Sequence, residues 1–223
     1  RYKDAQALCE SVYRQGACRT DNLLLLGAVH FQLRNFSECI LYNQQCIRID
    51  PNFAEAYSNL GNALKELGDV GGAIQFYLKA VKLKPRFCDA YNNLASAYMQ
   101  LGHTKEAIET YQMALVLNRG LVDAHSNLGN LYKAQGMLAE AKRCYLEAIR
   151  IQPSFAIAWS NLAGIFKEEV GFVVSALLVT WVFLHFCLCF QGNLTTAVAY
   201  YREAIRLCPE FADAHSNLGN VLK

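Results

Sequence analysis

The sequence predicts an all-α fold, a right-handed superhelical solenoid of short helical hairpins broken by one 22-residue apolar insertion. Three observations predict it. A 13-residue phrase returns every 34 residues; each copy is followed by a second segment with apolar residues at helical spacing; and no stretch alternates as a strand would.

Taken in order, the first hairpin is "DNLLLLGAVHFQL" (21–33) with "CILYNQQCIRID" (39–50), behind a partial unit at the start of the chain. The second pairs "AYSNLGNALKELG" (56–68) with "AIQFYLKAVKLKP" (73–85). The third pairs "AYNNLASAYMQLG" (90–102) with "AIETYQMALVLNR" (107–119). The fourth pairs "AHSNLGNLYKAQG" (124–136) with "AKRCYLEAIRIQP" (141–153), and the fifth opens with "AWSNLAGIFKEEV" (158–170). Repeats thus begin near residues 20, 54, 88, 122 and 156, and the array occupies 1–169 and resumes over 192–223. Helices of about 13 residues are marginal in isolation, so stability has to come from stacking neighbours.

The residue types at fixed places resemble the tetratricopeptide repeat. Gly61, Ala95, Gly129, Ala163 and Gly219 let the first helix of each hairpin approach its neighbour, and Ala73, Ala107, Ala141 and Ala197 do so from the second. Pro51, Pro85, Pro153 and Pro209 close the units, with Arg119 standing in once. Cys39 and Cys46 take the small second-helix places of the first hairpin and read as core residues.

Between Glu169 and Arg202 no charged residue occurs, and Val170–Gln191 is apolar and long enough to span a bilayer, which takes roughly 20 residues. The expected turn glycine at 170 arrives at Gly192, and the next Pro and the next "SNLGN" are displaced by the same 22 residues. A transmembrane helix here would set the halves of one hairpin on opposite sides of a bilayer, and it lacks flanking Lys or Arg. A buried helix would find no free partner surface. The ends of the run instead match an unspliced intron: a Val codon begins with GT, "FQ" can end in CAG, and "FLHFCLCF" demands pyrimidine-rich codons. The retained intron is the reading adopted, with a transmembrane helix as the alternative. If translated, the stretch is expected to form a helix or hairpin jutting from the fifth unit.

Composition excludes more than it assigns. Net charge is +2 with 21 basic and 19 acidic residues well mixed, so no nucleic-acid partner is expected. Nine cysteines without a C-x-x-C pair fit a reducing interior better than a disulfide framework or metal site. No secretory leader is visible, and "NLGNVLK" ends in mid-pattern, as a fragment would. No catalytic constellation or phosphate loop is present; His125 and His215 hold the aromatic place on the first helix, where packing is expected.

Two columns carry the binding hypothesis. Asn59, Asn93, Asn127, Asn161 and Asn217 stand one residue before the repeating Leu of the first helix, on the face that does not pack. Stacked helices lie about 8–10 Å apart, so the amides form rungs spaced at roughly three residues of extended peptide. Each amide offers a donor and an acceptor to a peptide backbone. Glu55, Asp89, Asp123 and Asp213 form a second column in the first turn of the same helices, broken by Ile157. These acids either answer the helix dipole or contact Ser, Thr or basic residues of a bound chain.

"RTDNLLLLGAVHFQL", "LVDAHSNLGNLYKAQG", "EAIRIQPSFAIAWSNLAG" and "FADAHSNLGN" closely resemble the superhelical region of the O-linked N-acetylglucosamine transferases, in particular the plant SECRET AGENT type. The resemblance covers nearly the whole chain except Val170–Gln191. It implies a nucleocytoplasmic enzyme that moves N-acetylglucosamine from a UDP-sugar to Ser/Thr hydroxyls of proteins. It also implies peptide binding at Asn59, Asn93, Asn127, Asn161 and Asn217, with Leu25 replacing the first rung and acidic contacts at Asp89, Asp123 and Asp213. The catalytic lobes are absent from these residues, so the chain is expected to be the substrate-recognition segment, with no catalytic residue, cofactor or metal of its own and UDP-GlcNAc the donor of the full-length family. Partners are protein substrates with extended Ser/Thr-rich segments; a membrane enters only if 170–191 is a genuine span, and self-association through the array is left open. The alternatives are a stand-alone scaffold or co-chaperone, and the repeat region of a related protein O-fucosyltransferase. A carboxylate-gripping co-chaperone groove needs Lys or Arg where this chain has Asn and acids.

Overall fold

The computed structural model describes the backbone of residues 6, 7, 9–11, 13, 19–177 and 183–222, and the side chains of these outside 169–192. Its helices are α1 (Thr20–Gln32), α2 (Phe36–Ile49), α3 (Ala54–Glu66), α4 (Val70–Leu83), α5 (Cys88–Gln100), α6 (Thr104–Leu117), α7 (Val122–Ala134), α8 (Leu138–Ile151), α9 (Ala156–Leu177), α10 (Phe183–Leu207) and α11 (Ala212–Val221). No strand occurs among the described residues. The chain packs as two compact units, Arg1–Arg119 and Gly120–Lys223.

In the first unit the hairpins α1/α2, α3/α4 and α5/α6 stack, α2 on α3 and α4 on α5. In the second, α7/α8 and α9/α10 stack through α8 and α9, and α11 closes on α10. First helices also touch first helices, α1 with α3, α3 with α5, α7 with α9 and α9 with α11, which sets the helices that carry the candidate column side by side within each unit.

The first helices of the second, third and fourth hairpins end by turning left-handed. Gly68, Gly102 and Gly136 have φ of 88°, 76° and 75°, and the next amide returns to a carbonyl five residues back, as Asp69 N–H does to Leu64. Arg34 takes the same place at φ 62°, a conformation that strains a side-chain-bearing residue; its guanidinium lies 3.4 Å from Glu66. At the fifth hairpin Val170 holds that place, and α9 does not stop there. The backbone is helical to Leu177 and again from Phe183, so α9 has 22 residues and α10 has 25, against 13 or 14 in α1–α8. Residues 178–182 of the expected insertion, and all its side chains, lie outside the described residues. Among the described residues no helix is long and apolar enough to cross a membrane.

The core repeats as the sequence does. Tyr77, Tyr111, Tyr145 and Tyr201 are fully buried at one position of the second helix, one turn after the buried Ala73, Ala107, Ala141 and Ala197. In the first hairpin Asn43 replaces that tyrosine; it is buried, and its Nδ2 donates to the Cys39 carbonyl at 2.7 Å. Cys39 and Cys46 are buried where the other hairpins have alanine, as expected.

Candidate functional site

Four helices of the candidate face begin with an apolar residue that makes no side-chain cap: Phe53, Phe87, Leu121 and Phe211. Glu55, Asp89, Asp123 and Asp213 follow in the first turn, where their charge answers the uncapped amides. Asp89, Asp123 and Asp213 are exposed. Glu55 is already engaged, its Oε1 2.6 Å from Lys84 Nζ. Burial alone would raise its pKa, but the Lys84 hydrogen bond and charge outweigh burial and hold it below the usual carboxylate range.

The aromatic place one turn on does more than pack. Tyr57 Oη donates to the Pro51 carbonyl at 3.2 Å, Trp159 Nε1 to Pro153 at 2.9 Å, and His215 Nε2 lies 2.8 Å from the Pro209 carbonyl. His215 is exposed, so its place in the fold is a tie to the preceding loop, where the sequence suggested packing.

Asn59 on α3 and Asn93 on α5 belong to the first unit; Asn127 on α7, Asn161 on α9 and Asn217 on α11 belong to the second. All five are half-buried, deeper than an unpacked face implies. Leu25, at the position of a missing rung on α1, is 50% exposed. In the first unit a recess of about 200 Å³ is lined by Gly27, Ala28, Phe31, Gln32, Cys39, Asn59 and Asn62.

Two rungs are tied to residues the sequence pattern did not single out. Asn93 Nδ2 donates to Asn62 Oδ1 at 3.0 Å, and Asn161 Nδ2 donates to Asn130 Oδ1 at 3.0 Å. The same oxygens accept from buried tyrosines, Tyr77 Oη to Asn62 at 2.7 Å and Tyr145 Oη to Asn130 at 2.7 Å. A signal for this exists in the sequence: "GN" in "SNLGN" followed 15 residues later by Tyr, at 62/77 and 130/145. Chemically the face offers neutral amide donors and acceptors flanked by exposed carboxylates. Among the described residues no three His, Cys, Asp or Glu side chains are grouped to hold a metal ion.

The TPR repeat family matches residues 61–102, 96–136 and 188–223, and further tetratricopeptide repeat profiles match 20–53, 42–75 and 122–155. The chain is 51% identical over 79 residues to the probable UDP-N-acetylglucosamine–peptide N-acetylglucosaminyltransferase SEC of Arabidopsis thaliana, covering 35% of this chain and 8% of that protein. It is 41% identical over 69 residues to the Caenorhabditis elegans UDP-N-acetylglucosamine–peptide N-acetylglucosaminyltransferase, covering 31% of this chain and 6% of that one. The matches therefore span less than a tenth of either relative. Among solved structures, YrrB, described as a TPR protein with an unusual peptide-binding site, superposes with a TM-score of 0.64 at 17% identity over 94% of this chain and 96% of its own. That likeness shows the fold.

Proposed function

The chain belongs to the tetratricopeptide-repeat family, and from that premise we propose that it is the protein-substrate recognition segment of a UDP-GlcNAc:protein Ser/Thr O-N-acetylglucosaminyltransferase. Repeats of this kind, and their similarity to the repeat regions of two such enzymes, support a protein-interaction role. The observation that carries the finer reading is the column Asn59, Asn93, Asn127, Asn161 and Asn217, one half-buried amide on each successive first helix.

Within each unit, a peptide laid along these amides in extended form meets one about every three residues. Its backbone N–H donates to an Asn Oδ1, and its carbonyl accepts from an Asn Nδ2. Because these groups occur in every residue, the contacts grip a chain without reading its side chains. Asp89, Asp123 and Asp213, exposed at the same helix ends, supply the sequence preference by accepting from Ser or Thr hydroxyls or pairing with Lys and Arg. On this reading the segment presents a Ser/Thr-bearing stretch to a sugar-transferring domain carried elsewhere in the protein, in the cytoplasm and nucleus, and UDP-GlcNAc is that domain's substrate.

The triple variant Asn59→Ala, Asn93→Ala, Asn161→Ala tests the column. Each rung makes up to two hydrogen bonds of about 0.5–1.5 kcal/mol net, so affinity for an extended peptide should fall roughly ten- to a thousandfold, or about 1.4–4 kcal/mol. Calorimetry with two Ser/Thr-rich peptides of unrelated sequence, alongside circular dichroism, reads the result. Undiminished affinity for both peptides in a folded variant would overturn the column. Loss for only one would transfer recognition to side-chain contacts at the aspartates.

A further inference from the structure

We propose that Asn62 and Asn130, each gripped by a buried tyrosine of its own hairpin, are positioning residues that orient the peptide-binding amides of Asn93 and Asn161. The inference rests on the peptide-binding reading of the column and adds to it a device that decides which way two of its rungs face.

The geometry occurs twice. In the first unit Tyr77 of α4 donates to Asn62 of α3, and Asn93 of α5 donates to the same oxygen; the distances are 2.7 and 3.0 Å. In the second unit Tyr145 of α8, Asn130 of α7 and Asn161 of α9 repeat it at 2.7 and 3.0 Å. Two separately packed units reach one arrangement, so local sequence sets it. Glycine belongs to that local sequence. A Cβ on Gly61 would lie 2.6 Å from Tyr77 Cε1, and one on Gly129 would lie 2.6 Å from Tyr145 Cε1, so only a glycine lets the ring come this close to the first helix.

Each member has one role its chemistry permits. The tyrosines are fully buried, which pushes their hydroxyls above the usual range and keeps them neutral donors. A carbonyl oxygen has two lone pairs, and here one takes the phenol and the other the neighbouring amide. Asn62 and Asn130 therefore each have an Oδ1 that accepts two hydrogen bonds, one from the ring and one from the next repeat. Asn93 and Asn161 each give one N–H hydrogen to that oxygen, which leaves the second N–H and the whole of Oδ1 for a ligand. The terminal torsion of an unanchored asparagine is broad and roughly two-fold, so an untied amide also populates the orientation with donor and acceptor exchanged. A rung in the wrong sense opposes like groups on the peptide.

Two further rungs, Asn59 and Asn217, differ for a reason visible in sequence. Ala28 stands where an acceptor for Asn59 would be, and Gly164 stands in that place for Asn217; neither has a polar side chain. Asn93 and Asn161 are the preset rungs, and Asn59 and Asn217 turn to suit the peptide.

The test measures affinity of the full chain for two Ser/Thr-rich peptides of unrelated sequence in three double variants and one quadruple variant, with circular dichroism as the folding check. In Asn62→Ala, Asn130→Ala the acceptors vanish, and affinity should fall roughly five- to a hundredfold as two amides lose their preorganisation. In Asn62→Asp, Asn130→Asp the acceptor oxygens remain, and affinity should return to within about threefold of the parent. In Asn93→Ala, Asn161→Ala the rungs themselves vanish, and adding Asn62→Ala, Asn130→Ala to that background should cost nothing further, because the pairs act in series. Rescue by aspartate together with non-additivity is a result that a merely structural tie between repeats does not produce. If Asn62→Ala, Asn130→Ala leaves affinity intact while Asn93→Ala, Asn161→Ala lowers it, or if the two losses add, positioning is overturned and the column stands. If removing Asn93 and Asn161 changes nothing, the column itself fails and the positioning role falls with it.

Discussion

Gly61 and Ala95 hold the same place in successive hairpins, and the difference between them is one methyl group set against a buried ring. Where the residue is glycine, at 61 and 129, an asparagine follows and a tyrosine hydroxyl reaches it. Where it is alanine, at 95 and 163, Ser96 and Gly164 follow instead. In these four hairpins, each with the buried tyrosine, the small residue and its neighbour change together; Gly27 of the first hairpin lies against Asn43 instead and is followed by Ala28. Gly61→Ala tests the coupling. The new Cβ meets Cε1 of Tyr77 at 2.6 Å and Cδ1 at 2.8 Å, and the ring is 0% exposed, so it has nowhere to swing. Overpacking of this kind costs about 1–3 kcal/mol, against a gain of about 1 kcal/mol in helix propensity. A net loss of about 1 kcal/mol is expected in urea unfolding, with the Tyr77 to Asn62 bond displaced; a more stable variant would show that the ring had room.

At the scale of the element, helix length is decided by the residue that turns the chain. Gly68, Gly102 and Gly136 accept positive φ without strain and end their helices; Val170 would carry the β-branched penalty there, and α9 continues. Deleting Val170–Gln191 carries Gly192 into the turn position and restores a hairpin of ordinary length. The shortened chain is expected to be more soluble, since a long apolar segment is removed, and to unfold at a higher temperature, by about 2–4 °C for each kcal/mol recovered. Differential scanning calorimetry of both chains measures the shift, and an unchanged or lower midpoint would mean the insertion packs where the repeat register gives it no surface.

Over the whole molecule, stability is tied to pH through groups that burial holds neutral. Burial pushes the thiols of Cys39, Cys46 and Cys144 up to about 11; Asn43 opposes this at Cys39, and Asp21 adds to it at Cys46. Unfolded thiols titrate near 8.5, so the native state holds protons that the unfolded state has released, and ionisation favours unfolding. The contribution is present below about pH 8.5 and is lost as pH rises toward 11, at up to about 1.4 kcal/mol per pH unit for each thiol. Urea midpoints should fall steadily over that window. Cys39→Ala, Cys46→Ala places the residue that Ala73 and Ala80 supply in the next hairpin, so it should fold and show a shallower decline. An identical decline would move the effect to other groups, the buried tyrosines first.

The sequence by itself determined the hairpins, their small and large core positions, the turn glycines and the column of asparagines, because each follows from a pattern contained within one 34-residue period. Periodicity assigns a residue to a face of its helix, and burial of Cys39 and Cys46 follows from that alone; the buried tyrosines Tyr77, Tyr111, Tyr145 and Tyr201 were seen only in the structure. It does not say what the neighbouring repeat presents to that face. Only the tertiary structure decided that Asn93 meets Asn62 across 31 residues, that Lys84 takes Glu55 out of the acidic column across 29, and that the fifth hairpin's helices run on past their expected turn. The physical reason is that a hydrogen bond needs donor and acceptor within about 3 Å and in line, a condition on three dimensions that the order of residues along one chain leaves open until the repeats are stacked.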